Sequence, residues 1–257
     1  MREIELKYQK NVRDLGGLEG YNGRRIKKGR LFRGGFLGRV SDEDIEKINN
    51  LHLTDIVDFR GEYEFLGRKD YQFEGVTFHN FSPLQENIKK EHEHLSDANL
   101  LWFVSDFDSG HSHMYRMYST LLICERGIQA YKNFFKVLMK DDKRVVYFHC
   151  SQGKDRAGLA AYLVEMALGV SPEDARIDYL LSNIAMETKI KHLKNMLKDE
   201  PFYNPTYELK LLDVFYAKED YLNAAIESVI NTYGDFETYL EKVLEVDLNR
   251  FRELYLE

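Results

Sequence analysis

The residues with the clearest chemical potential run His149-Cys150-Ser151-Gln152-Gly153-Lys154-Asp155-Arg156-Ala157-Gly158. A cysteine thiolate is a strong nucleophile, and a guanidinium six positions later is a planar fork that matches two oxygens of a phosphate. Together they suit attack of sulfur on a phosphate ester, with a cysteinyl-phosphate intermediate and Arg156 stabilising the charge of the transition state. The leaving oxygen needs a proton, and Asp155 is the nearest carboxylic acid in sequence. Ser151, Gln152, Gly153, Lys154, Ala157 and Gly158 complete an anion-binding loop, with Lys154 as a further positive charge. A nucleotide P-loop is excluded, because Phe148 stands where its first glycine would be and Asp155 replaces the Ser or Thr that would hold magnesium.

Such a loop must be held between a strand and a helix. Val145-Val146-Tyr147-Phe148 is short, β-branched and aromatic, which predicts a buried strand ending at Cys150. Leu159 to Leu168 is rich in Ala and Leu and predicts a buried helix. The helix N-terminus directs several backbone N–H groups at one spot and, with Arg156, favours the thiolate over the neutral thiol.

His149-Cys150 with Arg156 six residues on resembles the signature of the cysteine-dependent protein tyrosine phosphatase superfamily. The fuller run Gly153-Lys154-Asp155-Arg156 resembles its bacterial branch of atypical tyrosine phosphatases, some of which also act on phosphoinositides. Asn11-Val12-Arg13-Asp14-Leu15-Gly16-Gly17, Val57-Asp58-Phe59-Arg60 with Glu64, Asp178-Tyr179-Leu180-Leu181-Ser182-Asn183, and Tyr233-Gly234 with Tyr239-Leu240 agree with that branch. The resemblance implies phosphotyrosine hydrolysis without a cofactor, with phosphoserine, phosphothreonine or phosphoinositides as further substrates. It also implies that Asp155 takes the acid role, with Asp58 as the fallback. Two departures stand out. The superfamily has Ser or Thr where this chain has Ala157, and that hydroxyl speeds breakdown of the phosphoenzyme. The acid-bearing Trp-Pro-Asp loop of the classical enzymes has no counterpart, since the sole tryptophan, Trp102, is followed by Phe103-Val104. Arg13 and Asp14 are expected to brace the catalytic loop or contact substrate, with Asp58, Arg60 and His149 as further supports.

The expected architecture is α/β, with a mainly parallel sheet flanked by helices and a helical C-terminal part. Short strands are expected within 24–39, a helix capped by Ser41 through Leu51, strands at Ile56 to Phe59 and Val76 to Phe81, and a helix restart at Ser171-Pro172. One domain spans 1–257 in this reading, with 184–225 as a helical lid or a packed subdomain and Glu200 to Pro205 as a hinge.

Net charge is −7 over 257 residues, which argues against general nucleic-acid binding, and no apolar run approaches a membrane span. Two cysteines and a start without an apolar signal region point to a reducing, cytoplasmic setting, with unconventional export as the alternative. The sequence leaves the oligomeric state open. Arg24, Arg25, Lys27, Lys28, Arg30, Arg33 and Arg39 form an acid-free stretch that reads as a solvated face or as a basic apron for an acidic phosphopeptide or anionic head group. His92 with His94 and His111 with His113 are weak metal pairs, and no metal is expected. Cys124 reads as core packing, or as a reversible disulfide partner of Cys150. The expected partner is a phosphorylated protein or a phosphoinositide; a phosphate-capturing module that turns over slowly because of Ala157 is the second reading, and a structural interaction protein the third.

Overall fold

The computed structural model describes residues 3–84, 110–199 and 203–257. Five strands form one sheet in the order β1-β2-β5-β3-β4, comprising β1 (Arg13–Asp14), β2 (Leu31–Gly35), β3 (Asp55–Asp58), β4 (Thr77–Asn80) and β5 (Val146–Cys150). β1 lies antiparallel on β2 and the remaining pairs are parallel. β5 is central, with Gly35 beside Cys150 on one flank and Asp58 beside His149 on the other.

Side chains alternate across a strand, and β5 shows the consequence. Val146, Phe148 and Cys150 join the larger core, whereas Tyr147 joins the smaller one on the opposite face. The smaller core is covered by α1 (Asp42–Asn49), whose Ser41 cap accepts from Asp44 N as expected. The larger core packs α3 (Gly110–Leu121), α4 (Glu125–Leu138), α5 (Arg156–Ala167), α6 (Pro172–Lys198), α7 (Pro205–Phe215), α8 (Glu219–Tyr233) and α9 (Leu248–Tyr255). A short α2 (Glu62–Gly67) follows β3. Every residue of α5 except Met166 is buried, so this helix lacks an amphipathic stripe and runs through the middle of the larger core.

The sequence expectation of an α/β fold with a mainly parallel sheet and helical C-terminal part is met. Within 24–39 one sheet strand, β2, forms. β1 has no sequence signal: two residues carry no periodicity, and the pairing with β2 supplies the order. Helix α6 begins at Pro172 with Ser171 as its cap, because proline already has a helical φ and loses no needed N–H there. No helix among the described residues is long and apolar enough to cross a membrane.

Candidate active site

Cys150 is the last residue of β5, and its side chain faces the larger core with 1% exposure. The loop turns back through Gly153, whose φ of +68° and close approach to Gly34 leave no room for a Cβ. Arg156 then opens α5, so the backbone amides of a helix N-terminus follow directly after the Cys150 loop. Cys150, Ser151, Gln152, Asp155 and Arg156 line one cleft.

Glu64, on α2, closes this arrangement from the other side. Arg156 donates Nη1 to Glu64 Oε2 at 2.5 Å and Nη2 to Oε1 at 2.9 Å, while Ser151 Oγ donates to Oε1 at 2.5 Å and Gly61 N to Oε2 at 3.0 Å. Burial alone would push the Glu64 carboxyl up, but the charge and hydrogen bonds of Arg156, with those of Ser151 and Gly61, hold it far below the usual carboxylate range. Burial likewise opposes the Arg156 charge, yet Glu64 and then Cys150 and Asp155 hold the guanidinium firmly protonated. Because the folded Glu64 value is depressed, its stabilisation is present above the unfolded carboxyl value and lost as pH falls. Glu64→Gln is therefore expected to cost about 2–3 kcal/mol at neutral pH, the order of a hydrogen-bonded partner lost by a buried charge. The gap to wild type should narrow below about pH 4, where unfolded glutamate takes up a proton. Urea unfolding of both proteins at pH 7 and pH 3 checks this; an equal gap at both would contradict it.

The far side of the loop is braced by residues distant in sequence. Arg13 Nε donates to Asp178 Oδ1 at 3.1 Å and Nη2 to Oδ2 at 3.0 Å, and Arg33 Nη1 donates to the same Oδ2 at 2.9 Å. Arg33 Nη2 reaches Gly153 O at 2.8 Å, and Asn11 Nδ2 donates to Gln152 O at 3.1 Å. The Asn11 carboxamide oxygen in turn accepts from Arg13. Burial, then the neighbouring Arg13, lower the Arg33 guanidinium to about 10, against the pull of Asp178, so it remains charged at neutral pH. The segments 11–17 and 178–183 thus meet over the 150–156 loop.

Several expected site residues fall elsewhere. Asp14 does not share Arg13's role: neighbours on a strand point to opposite faces, and Asp14 instead accepts from Gly16 N and Gly29 N at 2.8 and 2.7 Å. Asp58, the fallback acid, sits in register with His149 on the face opposite Cys150, 3% exposed, and its carboxylate is taken by Arg60 N, Nε and Nη2. Arg60 also binds Asp70, and His149 lies 3.7 Å from Asp58 and 3.6 Å from Asp70. This is the one trio of metal-ligand type among the described residues, and its two carboxylates already hold the Arg60 cation. Lys154, expected to face the phosphate, lines the cleft but donates Nζ to Val214 O at 2.5 Å and Tyr216 O at 3.4 Å, tying the loop to the end of α7.

The basic stretch 24–39 is not one apron. Arg33 is fully buried, Arg30 donates to Arg144 O and Asp142 O, Lys27 to Glu253 O and Leu254 O, and Arg39 lies over the Tyr8 ring. His111 pairs with Asp220 rather than with His113, which is buried. Cys124 is a free thiol that caps α4 by accepting from Gly127 N, and Cys150 is free as well. His92, His94, Trp102 and the first half of the expected hinge, 200–202, lie outside the described residues.

Asp155 Oδ1 accepts from Tyr118 Oη on α3 at 2.7 Å and lies 3.3 Å from Lys154 Nζ; Tyr179 Oη donates to Tyr118 Oη at 2.9 Å. Met114, Met117, Leu84, Val214 and Phe215 give the cleft apolar walls, and Arg68 and Lys189 add cations. The sequence does not flag Tyr118 or Arg33 as site-forming, because no spacing signal ties them to the loop, and Asp178 enters only as part of a motif. Glu64 is visible there only as part of a motif.

A buried thiol, a helix N-terminus, a fixed guanidinium and a carboxylic acid in one apolar-walled cleft are groups of the kind that phosphoryl transfer to sulfur requires. The chain is 29% identical over 261 residues to a Cupriavidus necator protein assigned by name to the tyrosine-protein phosphatases, covering 96% of this chain and 85% of that one. It is 26% identical over 259 residues to the triple specificity protein phosphatase PtpB of Mycobacterium tuberculosis, covering 90% of this chain and 92% of that one. The model of the tyrosine phosphatase family matches residues 4–257. With that match over nearly its whole length, the chain belongs to the tyrosine phosphatase family.

Proposed function

We propose that this enzyme hydrolyses phosphotyrosine in two steps. The phosphate sits on the amides of the 150–156 loop and on the Arg156 guanidinium, and Cys150 Sγ attacks phosphorus as the bond to the phenolic oxygen breaks. Asp155 gives that oxygen its proton. Water, deprotonated by the Asp155 carboxylate, then attacks the cysteinyl-phosphate, and inorganic phosphate leaves with return of the thiolate. No cofactor enters either step. Cys150, Asp155 and Arg156 facing one cleft with Met114, Met117, Val214 and Phe215 on its walls is the observation that carries this reading, because those walls suit an aromatic ring.

The second substrate class is phosphoserine, phosphothreonine and phosphoinositides, supported by the name of the mycobacterial relative and by Arg68 and Lys189 in the cleft. Lys154 lends it little, being committed to Val214 O and Tyr216 O. Phosphotyrosine peptides are expected to exceed matched phosphoserine peptides and phosphoinositides in kcat/KM by at least about tenfold, one well-filled apolar contact being worth that order. Side-by-side phosphate release measures it, and a preference for the inositol lipid would overturn the phosphotyrosine assignment. The whole chain acts as one phosphatase domain in this proposal, with 205–215 as a wall of the cleft, in a reducing cytoplasmic setting that suits a catalytic thiol.

A further inference from the structure

The acid proposed above hangs on a side chain that two tyrosines hold. Tyr118 and Tyr179 are 0% and 1% exposed, so their hydroxyls have no water to satisfy them and must find partners inside the protein. They form a directed chain: Tyr179 Oη donates to Tyr118 Oη at 2.9 Å, and Tyr118 Oη donates to Asp155 Oδ1 at 2.7 Å. Lys154 Nζ also approaches Oδ1, at 3.3 Å, with its ammonium anchored on Val214 O. Both contacts fall on the same oxygen. Oδ2 has no partner among the described residues, and Asp155 lines the cleft.

Burial first, and then the charge of Asp155, push the Tyr118 phenol well above its ordinary value, so it stays a hydroxyl throughout the working pH range. The Tyr118 ring is itself fixed, 6.3 Å from Tyr179 and 5.7 Å from Tyr221 between ring centres. Its hydroxyl is thus a rigid donor, aimed from α3 at a carboxylate on the catalytic loop.

We propose that Tyr118, oriented by Tyr179, is a positioning residue for the proton donor: by holding Asp155 Oδ1 it turns Oδ2 toward the leaving oxygen in the cleft. The inference rests on Asp155 as the acid. Its chemical consequence is specific to leaving groups. A phenol that departs readily as its anion needs little protonation in the transition state, and a poor one needs it most. A misaimed acid therefore harms poor leaving groups more.

The test is kcat/KM, which reports steps through P–O cleavage, for a series from p-nitrophenyl phosphate to phenyl phosphate with wild type, Tyr118→Phe, Tyr179→Phe and Asp155→Asn. Asp155→Asn should steepen the leaving-group dependence most. Tyr118→Phe should raise the ratio of p-nitrophenyl to phenyl phosphate activity about tenfold, the order of one hydrogen bond to a charged group. Tyr179→Phe should shift it in the same direction by less. A Tyr118→Phe loss that is equal across the series would mean general damage to the fold and would overturn the proposal, as would an unchanged series. Should Tyr118→Phe fail a thermal unfolding check, the Tyr179→Phe series decides by the same criteria. If Asp155→Asn keeps the wild-type dependence, the acid assignment itself fails and the positioning role falls with it; if only Asp155→Asn responds, the acid stands and Tyr118 does not position it.

Discussion

Cys150→Ser is expected to abolish phosphatase turnover, with a loss of about 10⁴-fold or more, the order seen when a covalent nucleophile is removed. A hydroxyl in place of the thiol is far less acidic, and the first proposed step has no substitute nucleophile aligned with the loop amides. Ser151 is a poor replacement, since its hydroxyl donates to Glu64. Phosphate binding should survive, because Arg156, Glu64 and the start of α5 are untouched. The variant should therefore still gain thermal stability from added phosphate while releasing none from an aryl phosphate. Residual turnover within tenfold of wild type would place the nucleophile elsewhere.

Arg156→Lys is expected to lower kcat about 10³-fold, with a smaller change in KM. Transition-state donors of this kind are each worth about 10²–10³, and an ammonium cannot reproduce a fork that meets Glu64 with both terminal nitrogens. The loss belongs mainly in kcat because charge spreads over the phosphoryl oxygens as the bond to the leaving group breaks, so the missing interaction is strongest in the transition state. The pair with Glu64 adds a second cost: a lysine there can replace at most one of the two bonds that Arg156 gives Glu64. Steady-state kinetics on phosphotyrosine peptide separate the two terms, and a pure KM effect would reduce Arg156 to a ground-state anchor.

The loop and its two flanking elements were legible because their chemistry is local. A β-branched run, a cysteine, glycines, an arginine and an Ala/Leu run lie within 24 residues, from Val145 to Leu168, and the structure places them as β5, loop and α5. What holds the loop was legible only in part: Arg13 was expected as a brace, but its partner was not. Arg13 meets Asp178 across 165 residues, and Tyr118 is one of 17 tyrosines, so neither spacing nor composition distinguishes them.

Sequence neighbourhood also misled. Asp14 adjoins Arg13 yet points to the opposite face of β1, and Asp58 shares a face with His149 rather than with Cys150. Lys154 sits inside the loop expected to bind phosphate, but carbonyls at the end of α7, near enough in space to satisfy a buried ammonium, claim it. The crowded cations of 24–39 read as one surface because a linear sequence hides which of them turn inward. Arg33 does, and it braces Gly153.

In the proposed reaction, phosphate passes through Cys150. Rapid-quench kinetics on p-nitrophenyl phosphate, with acid-trapped protein analysed by mass, test it most directly. A burst of nitrophenol stoichiometric with enzyme is expected, with a phosphate adduct on the peptide containing Cys150. With alanine at 157, where the superfamily has a hydroxyl that speeds the second step, slower steady turnover should follow. Turnover with neither burst nor adduct under conditions where the adduct is stable would contradict the cysteinyl-phosphate route and leave direct attack of water on a bound phosphate.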